Sequence, residues 1–339
     1  MKIKKNLPVI TLSGSPATMG EQHGLKMKDQ IHDLVSTRKN LLLKTGIDLA
    51  VIRVIAKRAW QTVCDVMPAI GTELEATAMA ADIEGWELLI AGAYSDIADL
   101  LKTEFEDCSE CTVGIVPSQL RVFGTWDSHS EAAKSALVLK RVQDNGLCTV
   151  SLTTAGWPVQ FGINSLGLGF GTTNLTPTKS NIYGIPYIAA LSHISTMENV
   201  NDATAWLKKQ KFLSGHSYIL IDRNGVKLLE TTPSKTYEVS VNDCYCQTNH
   251  YKSDIDDNSK YKFLRGSLNR VGKVSEAVSS FKSPAVYLNW LVQTPDVLRK
   301  PSETSNALSC AAYVIDITKR RFYFTNFESG SMGMEYLEI

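Results

Sequence analysis

The spacing of hydrophobic positions changes character once along the chain, near residue 111. Before that point the period is helical. Leu25, Met27, Ile31, Leu34, Val35, Leu41 and Leu42 mostly fall on one face of a helix over 25–45. Thr72-Glu73-Leu74-Glu75 has the form of a capping box and predicts a helix running from there to a stop near Gly85. Trp86, Leu89, Ile90, Ala93, Ile97, Leu100 and Leu101 recur at three- and four-residue steps and predict a third helix. The first hundred residues therefore read as mostly helical. Beyond residue 111, short apolar runs come in pairs around turn residues. Ala136–Val142 and Leu147–Thr153 flank Asp144-Asn145-Gly146, and Ser217–Ile221 and Val226–Thr231 flank Arg223-Asn224-Gly225. Tyr313–Ile317 and Arg321–Phe324 flank a short basic turn. Helical patterns intervene at about 185–197, 202–211 and 259–280. Hairpins joined by helices, without regular strand–helix alternation, predict an α+β fold with antiparallel sheets.

Composition narrows the function. The 339 residues suffice for one large domain or two ordinary ones, and a 44% hydrophobic fraction permits a sizeable core. Lys+Arg and Asp+Glu are equal at 35 each, which argues against a nucleic-acid partner held through its phosphates and against a basic membrane-surface protein. The apolar run Leu7–Leu12 after the basic start Met1-Lys2-Ile3-Lys4-Lys5 is too short for a signal peptide, and no segment reaches transmembrane length. The seven cysteines, at 64, 108, 111, 148, 244, 246 and 310, form no disulfide framework, so a reducing compartment and a soluble, cytoplasmic protein are expected. Cys244 and Cys246 read as small buried hydrophobes. The six histidines (23, 32, 129, 193, 216 and 250) include no ligand pair, so no metal and no cofactor are expected. The acidic stretch Lys252–Lys260 lacks calcium-loop spacing and reads as a solvated loop. Gly167-Leu168-Gly169-Phe170-Gly171 reads as a glycine-rich strand packed close to another backbone, not as a dinucleotide loop.

The candidate chemistry sits at the change of period. Cys111, in Asp107-Cys108-Ser109-Glu110-Cys111-Thr112-Val113, is placed where a thiol could become a new N-terminus after the chain cuts itself. A free α-amine has a pKa of about 7.7–8.0, so it can take the proton of its own thiol and no histidine is required. It needs a carboxylate to hold the amine and donors for the oxyanion. Asp127, in Thr125-Trp126-Asp127, could supply the first, and Asn249, in Gln247-Thr248-Asn249-His250, the second. Taken singly, each would more often close a turn. Cys108 is the rival nucleophile, but the Cys–Thr step and the strand pattern of Thr112–Val116 favour Cys111. An intact cysteine hydrolase with His23 or His250 as base is a further possibility.

Five ordered segments resemble the acyl-coenzyme A:6-aminopenicillanic-acid acyltransferase family of N-terminal-nucleophile hydrolases, relatives of bile-salt hydrolases and penicillin V acylases. They are Gly14-Ser15-Pro16 with Gly20-Glu21-Gln22-His23-Gly24, Cys111-Thr112, Trp126-Asp127, Phe161-Gly162-Ile163-Asn164-Ser165-Leu166-Gly167, and Thr248-Asn249-His250. The resemblance implies an αββα sandwich of two antiparallel sheets. It also implies a cut before Cys111 into a helical 1–110 piece and a catalytic 111–339 piece that stay together as a two-chain heterodimer. Cys111 would be nucleophile and, through its amine, base; Thr112 follows it as a supporting residue. Asp127 would orient the amine, Asn249 would donate to the oxyanion, and Asn174 would lend its backbone N–H. Ser217 and Ser305 match family serines near the site. Two positions depart: Glu110 stands where the family usually has glycine, which better tolerates strained backbone, and Asn306 stands where the acyltransferase carries an arginine. The implied function is an autoproteolytic amidohydrolase or acyltransferase acting on small acyl amides or acyl thioesters. The alternative is an uncleaved, non-catalytic ligand-binding homologue.

Overall fold

The computed structural model describes residues 6–101, 110–259, 261–301, 306–327 and 333–339. Among the described residues, six helices precede residue 111: α1 (Pro16–Lys26), α2 (Lys28–Leu43), α3 (Leu49–Val66), α4 (Pro68–Ala81), α5 (Gly85–Gly92) and α6 (Tyr94–Leu101). Ser15 caps α1, its side chain accepting from Thr18 N, and Pro16 supplies a preset first turn. The helix expected over 25–45 is broken at Met27, whose φ of −120° leaves the helical region. The helix expected from Thr72 starts four residues earlier. Pro68 opens it, and Thr72 Oγ1 donates back to the Pro68 carbonyl at 3.0 Å. The reciprocal capping box lies instead at Glu84 and Glu87, where it opens α5. Asp82, left-handed at φ 61°, ends α4.

The strands are β1 (Val9–Gly14), β2 (Thr112–Val116), β3 (Arg121–His129), β4 (Ala136–Gln143), β5 (Cys148–Thr154), β6 (Phe161–Asn164), β7 (Gly169–Leu175), β8 (Gly215–Asp222), β9 (Gly225–Thr231), β10 (Thr236–Val239), β11 (Tyr245–Gln247), β12 (Ala307–Asp316), β13 (Arg321–Thr325) and β14 (Glu335–Glu338). Helices α7 (Tyr187–Ile194), α8 (Val200–Leu207), α9 (Leu264–Ala277) and α10 (Pro284–Gln293) lie between them. One sheet has the order β1-β4-β5-β6-β7-β8-β9-β10 and the other β11-β2-β3-β12-β13-β14. All the hairpins expected from the sequence form. Pairing is antiparallel except where β1 joins β4 in parallel.

The two sheets face each other. Phe161 of β6 stacks on Tyr313 of β12 with ring centroids 4.7 Å apart. A Cβ on Gly169 would lie 3.0 Å from Ile315 of the facing sheet, so glycine there lets the two sheets pack close. Phe123, Val274, Phe281, Tyr287 and Leu291 form a separate cluster that seats α9 and α10 on the outside of the smaller sheet. On the outside of the larger sheet, Trp157 Nε1 donates to Leu88 O at 3.0 Å, and Arg141 of β4 forms a buried ion pair with Glu73 of α4. The layers are therefore α/β/β/α. Among the described residues no helix is long and apolar enough to cross a membrane, and no cluster of three or more metal-ligating side chains is present.

Candidate active site

Cys111 immediately precedes β2, and the pairing of Thr112 with Thr125 sets it beside Trp126 and Asp127 on β3. The Asp127 backbone N–H points at the Cys111 sulfur, 3.5 Å away, and the sulfur lies 3.8 Å from the Asp127 carbonyl. Across β3, the pairing of β12 shifts register between Ser309 and Ala311, opposite Asp127 and Trp126. Such a bulge re-aims side chains at a sheet centre.

The Asp127 side chain is 1% exposed, and its carboxyl oxygens make no hydrogen bond of good geometry among the described residues. Burial pushes this carboxyl up to about 7. The nearby Ser309 hydroxyl and the charge of Arg270 pull the other way. Cys111, Asp127, Asn174 and Asn306 line one cavity of about 280 Å³ between the sheets.

Behind that cavity lies a buried polar layer. Asn249 donates its side-chain N–H to the Asn174 carbonyl at 3.0 Å, and its Oδ1 accepts from Arg270 at 2.8 Å. Arg270 also donates to Glu110 Oε2 at 2.7 Å, while Arg299 donates to Glu110 Oε1 at 2.5 Å. The carboxylate before the nucleophile is thus clamped by two guanidiniums, and one of them fixes the amide of Asn249. Ser217 stands one strand away, its Oγ 3.0 Å from Thr173 N and 2.8 Å from Thr173 Oγ1. It holds β7 in place. Thr112 is fully buried in β2. Asn306 accepts from Ser130 Oγ at 2.6 Å and donates to Glu131 at 3.0 Å. Ser305 and Cys108 lie outside the described residues.

Neither histidine suggested as a base reaches the cavity. His23 Nε2 accepts from Gly156 N at 3.0 Å, and burial, with the charge of Arg141, lowers its pKa to about 3. The Gly-x-x-His-Gly run is an interlock: a Cβ on Gly20 would lie 2.1 Å from Glu73 O, and one on Gly24 2.5 Å from Thr77 O. His250 is held by Ser267 Oγ at 2.8 Å. The histidines that do line the cavity are His129 and His216, and burial lowers each to about 3. Arg38 of α2 also lines it. Reading the sequence alone missed Arg38, Arg270 and Arg299, because an arginine in a helical or loop segment carries no mark of burial.

Two facing antiparallel sheets between helices, with a thiol heading an inner strand, define the architecture of an N-terminal-nucleophile hydrolase. Residues 119–328 match the family acyl-coenzyme A:6-aminopenicillanic acid acyl-transferase. The match covers more than half of the chain, which belongs to that family; it begins after Cys111. No curated protein matches the chain. Two solved variants of the conjugated bile acid hydrolase from Clostridium perfringens are similar at 11% and 12% identity. They cover 68% and 67% of this chain and 92% of theirs, each with a TM-score of 0.45. Penicillin V acylase from Agrobacterium tumefaciens is similar at 11% identity, over 68% of this chain and 86% of that one, with a TM-score of 0.38.

Proposed function

We propose that the protein is a cysteine N-terminal-nucleophile amidohydrolase or acyltransferase acting on small acyl amides or acyl thioesters. The observation that carries this reading is the placement of Cys111. Its sulfur lies at the head of β2, against the backbone of Asp127, and lines a cavity with Asp127 and Asn174.

Maturation begins when the Cys111 sulfur attacks the Glu110 carbonyl carbon. The peptide C–N bond breaks, a thioester forms, and the nitrogen leaves as the α-amine of Cys111. Water then hydrolyses the thioester, giving a carboxyl group on Glu110 and restoring the thiol. In the mature site the amine takes the thiol proton and the thiolate attacks the substrate carbonyl. Asn249 has one amide hydrogen on Asn174 O and offers the other to the oxyanion, with Arg270 fixing the amide plane. Such a donor is worth roughly 2.7–4 kcal/mol in comparable sites. The protonated amine returns its proton to the leaving nitrogen. Water or an acceptor amine then resolves the acyl-enzyme. A new ammonium beside Asp127 would favour the ionised carboxylate and be held by it.

The test is Cys111→Ala, which should abolish hydrolysis of acyl amides and leave the chain in one piece. Hydrolysis persisting at the unsubstituted rate would rule out the nucleophile. A second reading, an uncut homologue that binds a ligand without chemistry, draws on the ion-paired Glu110, which also suits an intact chain. Denaturing gel electrophoresis distinguishes the two, because the cut protein gives bands of about one-third and two-thirds of the mass.

A further inference from the structure

Arg38 projects from α2 into the cavity that holds Cys111, and it is 5% exposed. A guanidinium stays charged, and a buried charge is costly unless an opposite one meets it. Among the described residues its hydrogen bonds go to neutral groups: Nε to His129 Nε2 at 3.1 Å, one terminal nitrogen to the Ala91 carbonyl, the other to Ser128 Oγ at 3.4 Å. The Tyr94 ring lies 5.4 Å away. Ala91 is near the C-terminal end of α5, which contributes only a partial negative charge. Glu131 is reached only through His129, at 3.4 Å from Nδ1, and it also accepts from Asn306. Among the described residues, no carboxylate forms an ion pair with Arg38. Asp127, the acid on the cavity wall, is raised by its own burial. At the rim, exposed Lys44 adds a second positive charge, and Leu41 and Trp126 supply apolar wall.

We propose that Arg38 is a substrate-anchoring residue, and that the amide or thioester taken by Cys111 carries a carboxylate that pairs with it. This rests on the amidohydrolase reading and specifies its substrate class. A carboxylate presents two acceptors to the guanidinium fork and supplies the missing counter-charge.

The carboxylate could sit on the acyl side or on the amine side, and two ligand pairs separate these. Glutaryl para-nitroanilide is compared with butyryl para-nitroanilide, and N-butyrylglycine with N-butyrylglycinamide. Binding is measured on the matured, self-cleaved protein as KM, or as a competitive inhibition constant for a ligand that is not turned over. In one of the two pairs the carboxylate member should bind about tenfold tighter. Arg38→Gln in the matured protein should erase that advantage while leaving the neutral member's affinity unchanged, and Arg38→Lys should restore part of it. Equal affinities within both pairs, or an advantage that survives Arg38→Gln, would overturn the proposal. If Arg38→Gln does not fold, the paired comparison with Arg38 intact decides alone. Hydrolysis of the neutral anilide that depends on Cys111, without any carboxylate preference, sinks this inference and spares the amidohydrolase reading. Hydrolysis independent of Cys111 sinks that reading instead.

Discussion

At the scale of single residues, the least expected feature is Glu110. Glutamate in that position brings a charge that must be satisfied where it is buried. Arg270 and Arg299 satisfy it, from positions 160 and 189 residues away in sequence. No local window contains both ends of such a contact, which is why the sequence showed Glu110 only as a departure. Short motifs marked Cys111, Asp127 and Asn249 as candidates; the guanidiniums that clamp Glu110 and hold the Asn249 amide carried no such mark. Arg270 is fully buried, so removing its partner leaves a charge without compensation. Glu110→Gln should therefore cost about 3 kcal/mol or more of unfolding free energy, measured by denaturant titration. Glu110→Gly should cost at least as much even though it restores the family's residue. A variant as stable as the parent would show that the clamp contributes nothing.

At the scale of elements, periodicity located most helices and hairpins but misplaced some boundaries. The long helical pattern over 25–45 conceals the break at Met27. The capping-box signature at Thr72 lies inside a helix that Pro68 had already started. The glycines of α1 carried a family motif, but their physical purpose appears only when α4 lies across them. Gly20→Ala forces a Cβ against a backbone carbonyl, and a loss of about 1–3 kcal/mol is expected in thermal or chemical unfolding. Gly272, in α9, has nothing within 4 Å of a built Cβ. Gly272→Ala should stabilise by about 0.5–1 kcal/mol through helix propensity alone. The opposite signs of the two substitutions separate packing from propensity, and equal effects would refute the interlock.

At the scale of the whole molecule, the α+β class followed from the sequence because apolar runs pair around turns and the helical stretches between them do not alternate regularly with strands. The facing of the two sheets rested on the family resemblance. The ties between the helical segment and the rest were not legible. One of them is Asp96 of α6, which accepts from Tyr187 N at 3.0 Å and lies 3.4 Å from His216 Nδ1. Burial pushes Asp96 up from 3.8 to about 8 and His216 down to about 3, so acid and imidazole meet as neutral groups. Between pH 3.8 and about 8 the native state keeps a proton on Asp96 that the unfolded chain releases, so this group's contribution to stability falls as pH rises. Asp96→Asn, which can accept from Tyr187 and donate to His216, should remove that slope. Its stability advantage, followed by thermal unfolding across this range, should widen with pH and level off near 8. An advantage constant with pH would contradict a protonated Asp96.

The central claim is that backbone scission creates the catalytic amine of Cys111. Intact mass spectrometry of catalytically active protein, combined with identification of the amino terminus of each chain, tests it most directly. The expected result is two associated polypeptides, the larger beginning with Cys111 and ending with Ile339. Activity residing in the undivided polypeptide, with Cys111 replaceable by alanine, would contradict it.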